Sequence, residues 1–236
     1  MKTKTKFWVY SLAIMVVALI LTSSCKKKEH SSNPTPTSGT VKDVDGNVYH
    51  TVTIGTQVWM VENLKTTKYN DGTTIPLVTD STAWPNLTTP GYCWYNNDEA
   101  AYKTTYGALY NWYTVNTGKL CPSGWHVPTD AEWTTLTTYL GGESVAGGKL
   151  KETGTTHWQS PNEGATNERG FNALPAGSRD YSGTFGYVGT NGYWWSSSEY
   201  TASNAWYRSL YYYNISVLRF YTNKHYGFSV RCLRDF

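Results

Sequence analysis

The side chains best suited to acid–base, nucleophilic or metal chemistry in this chain are five histidines, at positions 30, 50, 126, 157 and 225, and four cysteines. Their spacing favours none of the three. His-Glu-x-x-His and Gly-x-Ser-x-Gly are both absent, so neither a helical zinc pair nor a nucleophile elbow is encoded. Cys-x-x-Cys is missing too, and no cysteine spacing matches a zinc site. Residues 142–149 carry the glycines and lysine of a phosphate loop at the wrong spacing. Leu150 stands where a magnesium-binding Ser or Thr belongs, so the segment reads as a glycine turn ending a helix. Asp43-Val44-Asp45-Gly46-Asn47 places its glycine too early for a calcium loop, and the oxygen-rich Asn96–Glu99 reads as a loop with Asp98 near a helix N-cap. Asp180 and Glu199 are candidate paired carboxylates, but each reads as a solvated loop residue. With no constellation complete, the expectation is a protein that is not an enzyme and that uses no cofactor or metal.

Binding chemistry is better represented. Tyr181, Tyr187, Tyr193, Trp194, Trp195, Tyr200, Trp206 and Tyr207 cluster among Gly, Ser and Asn. Flat aromatic faces beside short hydrogen-bonding side chains suit sugars and peptides, as they do in antibody paratopes. The candidate ligand-binding set is Arg179, Asp180, Tyr181, Tyr193, Trp194, Trp195, Glu199 and Trp206. A domain this poor in aliphatics must also build its core from aromatics, so about half of these rings are expected inside. Trp194 and Trp195 are neighbours on a strand and point to opposite faces, so one of the two is expected to be exposed.

The N-terminus sets the compartment. Lys2, Lys4 and Lys6 precede an apolar run from Phe7 to Leu21, too short to span a membrane, which ends at Thr22-Ser23-Ser24-Cys25. Leu21–Cys25 resembles the lipobox at which bacteria cleave lipoprotein precursors. Residues 1–24 are therefore expected to be a signal peptide and Cys25 the acylated residue of an outer-membrane lipoprotein of the bacterial cell envelope. Several acyl chains would hold it there, since a single chain binds only marginally. Residues 25–40, rich in Lys, Pro, Ser and Thr, are the lipidated cysteine and a flexible tether, and 41–236 form one domain. The whole chain carries a formal charge of +3. Residues 41–236 hold 14 basic and 16 acidic side chains, a charge of −2 with no basic cluster, which excludes nucleic acid as a partner. The expected partners are the membrane, through the anchor, and a glycan or cell-surface protein.

The elements that must position these residues are mostly strands. A hairpin turns at Asp45-Gly46 within Val41–Val52. A second joins Val52–Ile54 to Val58–Met60 across Gly55-Thr56-Gln57, and Asn70-Asp71-Gly72 marks another turn. Apolar spacing predicts a helix over Ala100–Val115. Thr129 and Glu132 form a capping box opening a second helix, with Trp133, Leu136 and Leu140 on one face and Gly141-Gly142 ending it. Beyond Lys149 lie strands and glycine-rich loops, the last strands at Ala205–Leu210, Ile215–Tyr221 and Gly227–Leu233. With Cys25 assigned to lipid, Cys93, Cys121 and Cys232 leave one disulfide and one free thiol. Cys121 precedes the second helix and Cys232 lies in the terminal strand, so this pair is expected to bridge, with Cys93 buried and inert.

Several ordered blocks carry a family resemblance. They include Ile54-Gly55-Thr56-Gln57-Val58-Trp59-Met60-Val61-Glu62-Asn63-Leu64, Gly107-Ala108-Leu109-Tyr110-Asn111-Trp112-Tyr113 and Cys121-Pro122-Ser123-Gly124-Trp125-His126-Val127-Pro128-Thr129. Gly170–Arg179, Tyr193–Tyr200 and Tyr226–Cys232 add to them. From Val41 to Phe236 the chain resembles the Fibrobacter succinogenes major paralogous domain, a family of exported proteins whose function is unassigned. Val127–Trp133 and Gly227–Arg231 are also similar to the helix-opening motif and closing strand of sulfatase-modifying-factor domains. That likeness implies an α+β, C-type-lectin-like fold: two helices, small antiparallel sheets and long loops. It does not carry over the formylglycine-generating chemistry, because only Cys232 occupies the region where those enzymes place a cysteine pair. The expectation is a lipid-anchored binding module. The alternatives are a structural envelope or adhesion protein, or an enzyme of the sulfatase-modifying-factor type.

Overall fold

The computed structural model describes residues 39–236, so the expected signal peptide, Cys25 and most of the tether lie outside the described residues. Strand β1 (Gly39–Lys42) pairs antiparallel with β2 (Val48–Ile54) across a turn where Gly46 has a φ of +83°. β1 thus takes in Gly39 and Thr40, which were expected in the tether. β2 continues through Gly55-Thr56 into β3 (Gln57–Met60), with Ile54 opposite Gln57. Both expected hairpins are present.

The single helix expected over Ala100–Val115 is instead three elements. After β4 (Tyr92–Cys93), α1 (Glu99–Tyr106) starts on an Asp98 N-cap that accepts from Ala101 N–H at 3.0 Å. It stops at Gly107, whose φ of +76° no helix accommodates. A Cβ there would also press on the Leu64 carbonyl oxygen. β5 (Leu109–Tyr110) then pairs with β4 and with Phe228, and α2 (Trp112–Val115) is a single turn capped by Asn111. The aromatic spacing is real, but its members fall on α1, β5 and α2 and not on one helical face.

β6 (Trp125–His126) leads into α3 (Asp130–Tyr139), which has the full capping box: Thr129 Oγ1 accepts from Glu132 N–H while Glu132 accepts from Thr129 N–H at 2.7 Å. Trp133 and Leu136 on its inner face, and Leu140 at its C-cap, are buried. Residues 142–149, expected as a glycine turn, continue into a fourth helix, α4 (Glu143–Leu150). Gly147 and Gly148 sit inside it because a Cβ at either would meet the backbone of Ser216 or Gly164. Close backbone approach, not flexibility, requires these glycines.

The last third is strands. β7 (Ala176–Arg179) and β8 (Phe185–Val188) form a hairpin. β9 (Asn191–Thr201), β10 (Asn204–Tyr211) and β11 (Leu218–Asn223) form a three-stranded antiparallel sheet with β10 central. Residues 227–230 then bridge to Arg179, Tyr110 and Trp194, and β12 (Leu233–Arg234) inserts between β3 and β6 in a five-stranded sheet ordered β1-β2-β3-β12-β6. The fold is α+β, and the described residues form four short α-helices where two were expected. The Cys121–Cys232 disulfide is present, and Cys93 is a buried free thiol whose pKa burial pushes up to about 12.

β9 lies between two aromatic cores, and this decides the fate of its tryptophans. Trp195 packs with Tyr110, Phe228 and Val230 on one face, and Trp194 with Trp59, Trp158 and Leu233 on the other. Loops between the sheets are held by buried cations. The Arg179 guanidinium donates to the carbonyls of Val78, Thr79 and Gly183 between the rings of Trp84 and Phe185. Arg231 donates to Asn63 Oδ1 and to the carbonyls of Phe171 and Asn172. Lys151 reaches the carbonyls of Glu163, Tyr211 and Asn214 at 2.8–3.0 Å.

Candidate ligand-binding site

Of the residues expected to meet a ligand, the structure buries four. Arg179, Trp194 and Trp195 are fully enclosed and Tyr193 nearly so. The expectation that either Trp194 or Trp195 is exposed is corrected, because a strand covered on both faces hides both alternating sets. Trp194 Nε1–H donates to Asn63 Oδ1 at 2.8 Å and Trp195 Nε1–H to the Tyr110 carbonyl at 2.8 Å, so both indoles are satisfied in place. Arg179 is corrected likewise: its guanidinium is a loop clamp. Glu199 pairs with Lys224 at 3.0 Å, and Asp180 Oδ1 accepts from Ser182 and Thr184 in its own turn. The two carboxylates serve separate partners and form no acid–base pair.

Trp206 belongs to an exposed group at the far end of the sheet. Tyr200 and Tyr221 stack at 3.8 Å, Trp206 meets both edge-on, and the Arg219 guanidinium covers Trp206 at 3.7 Å while Asp130 anchors it. These rings spend their faces on one another.

A different set of rings surrounds a hollow. On the face of β9 and β10 that carries Trp195, alternate positions 193, 207, 209 and 211 point one way, and Phe228 lies across them. Phe228 is the floor: Tyr193 stacks parallel to it at 5.0 Å, and Tyr207 and Tyr226 lean on it at 4.9 and 5.3 Å. Tyr211 and the exposed Tyr187 close the sides of a hollow of about 180 Å³, with Ser178 and Thr222 adding hydroxyls. Tyr181, 58% exposed, stands beside Tyr226 at the rim.

The phenols here are neutral hydrogen-bonding groups. Burial raises the pKa of Tyr193, outweighing the bond it accepts from Asn191 Nδ2 at 2.7 Å, and burial likewise raises Tyr207 and Tyr226. Each can donate and accept at any physiological pH. No charged side chain lines the hollow. Such a surface offers ring faces for C–H contact and hydroxyls for directed bonds.

Tyr193 and Tyr181 were legible as candidates. Tyr211, Tyr226 and Phe228 were missed, although their signal was available: Tyr207, Ser209 and Tyr211 alternate on β10, and Tyr226 and Phe228 are two apart.

Among the described residues, His50 pairs with Glu62 at 2.6 Å and His157 with Glu152 at 2.8 Å. His126, beside a second hollow near the disulfide, holds Asp235 through Nδ1 at 2.6 Å and Glu132 through Nε2 at 2.9 Å. Partial burial works against its charged form, but the bonds to Asp235 and Glu132 outweigh it and raise the pKa. An imidazolium donating from both nitrogens has no lone pair with which to act as a base. Among the described residues no group of three His, Cys, Asp or Glu side chains is placed to hold a metal ion, and no helix is long and apolar enough to cross a membrane.

No curated protein and no solved structure matches the chain. A family model does, over residues 52–234, which takes in every strand of the cleft and both cysteines of the disulfide. The chain belongs to the Fibrobacter succinogenes major domain family.

Proposed function

We propose that this chain is a lipid-anchored binding module of the bacterial cell envelope, built on a C-type-lectin-like fold, that holds a glycan in its tyrosine-lined cleft. The observation that carries the reading is the lining itself: phenol rings and hydroxyls around Phe228, with no charged side chain. An uncharged, polyhydroxylated ligand matches both features, since sugar C–H faces pack on rings while their hydroxyls bond to phenols. Small antiparallel sheets, long loops and a disulfide from the α3 region to the last strand support the fold assignment. The apolar run ending at Cys25 supports the anchor.

The test is a glycan array probed with the full chain in detergent, beside Tyr226→Ala. Binding by the wild type, weakened about 30-fold in the variant as for a contact residue worth about 2 kcal/mol, supports the reading. Silence from a folded wild type rejects it. Replacing Cys25 with Ala tests the anchor: the protein should leave the membrane fraction, and unchanged fractionation would refute lipidation.

A further inference from the structure

Beside the tyrosine hollow lies a second one, of about 160 Å³, lined by Asp180, Thr184, Phe185 and Gly186. The two share Ser178 and Tyr187, which therefore lie where the hollows meet. Both volumes fall below the roughly 300 Å³ at which pockets begin to hold drug-sized molecules. Each suits one small ring.

Tyr187 has an unusual backbone. Its φ is +69°, in the left-handed region that a bulky side chain rarely adopts, and it lies opposite Gly177, itself at +65°. The ring is 61% exposed and touches Tyr193 only edge-on at 6.2 Å, so its packing gives little in return for the backbone conformation. Strain that packing does not explain is characteristic of residues held in place for a ligand.

Asp180 gives the second hollow a different chemistry. Its turn uses Oδ1 alone, which accepts from Ser182 N–H, Ser182 Oγ–H and Thr184 N–H. Oδ2 is left to accept from a ligand hydroxyl. Resting on the glycan reading of the cleft, we propose that the site has two subsites meeting at Tyr187, and that its ligand is an oligosaccharide of at least two uncharged rings. One ring lies among the tyrosines, and its neighbour donates a hydroxyl to Asp180.

The experiment is titration of the full chain in detergent with monomer, dimer and tetramer series of glucose, mannose and N-acetylglucosamine, for wild type, Tyr187→Gly and Asp180→Asn. Asparagine keeps the Oδ1 acceptor of the turn and replaces only Oδ2. In the series that binds, the dimer should bind the wild type at least about tenfold more tightly than the monomer. Asp180→Asn should reduce that ratio to near one by weakening the dimer. Tyr187→Gly should also shrink it, while its Tm equals or exceeds that of the wild type because the left-handed conformation suits glycine. Equal affinity for monomer and tetramer, or a ratio untouched by both substitutions, overturns the two-subsite proposal and leaves glycan binding standing. Failure of every series to bind overturns glycan binding and this proposal with it.

Discussion

Lys151 places one ammonium against three carbonyls from two separate loops, a task that a run of side-chain pairs would otherwise share. Burial lowers its pKa to about 8, but the three donors match the three acceptors. Replacing it with Met takes the donor from the Glu163 and Asn214 carbonyls, while the Tyr211 carbonyl keeps its bond from Asn214 N–H, and the expected loss is about 3 kcal/mol in denaturant unfolding. A loss below about 1 kcal/mol would show that water replaces the ammonium. Nothing in the sequence marks Lys151, Arg179 or Arg231 as interior, because Lys and Arg are ordinarily surface residues. The tryptophans misled for the opposite reason. Strand alternation correctly separates the directions of Trp194 and Trp195, but it cannot reveal that both sides of β9 are covered. Trp195→Ala is therefore expected to cost about 3–5 kcal/mol of stability, read as a lower denaturant midpoint, rather than to remove binding from a stable fold.

At the scale of elements, α3 was fully legible, because a capping box is a local signal that tertiary packing leaves alone. Thr129→Ala should cost about 1 kcal/mol. The broken helix at Gly107 and the extra helix α4 were not legible, since both depend on which backbone passes nearby: Leu64 in one case, Ser216 and Gly164 in the other. His126 links α3 to the C-terminal segment through Glu132 and Asp235, and this link has a pH window. The folded pKa of His126 is raised above 6.5, so its contribution is complete below that value and is lost as pH rises through the folded pKa. Glu132 is lowered below 4.5, with burial opposing and the Thr129 and His126 bonds prevailing, so its contribution is present above 4.5 and is lost as pH falls through the folded pKa. Thermal unfolding of wild type and His126→Gln should differ most between about pH 4.5 and 6.5 and converge at alkaline pH. A difference that persists unchanged into alkaline pH would remove the charge from the account.

Over the whole molecule, the disulfide ties positions 111 residues apart, joining the entrance of α3 to the strand that completes the five-stranded sheet. In the chain-entropy model a loop of this length contributes about 4–5 kcal/mol, so the Cys121→Ser, Cys232→Ser double variant should unfold at much lower denaturant. The pairing was readable because only three cysteines remained and two flanked ordered elements. The cleft was not readable as a place. Its walls come from β8, β9, β10 and residues 226–228, and only the sheet register brings Tyr187, Tyr193, Tyr207, Tyr211 and Tyr226 around one phenylalanine.

That convergence is tested by fluorine NMR of the full chain labelled with fluorotyrosine, titrated with the tightest-binding neutral oligosaccharide from the array. The cleft predicts that the resonances of Tyr187, Tyr193, Tyr207, Tyr211 and Tyr226, each assigned by a Tyr→Phe variant, shift together while Tyr200 and Tyr221 stay fixed. Shifts confined to Tyr200 and Tyr221 would move the site to the other end of the sheet and contradict the account.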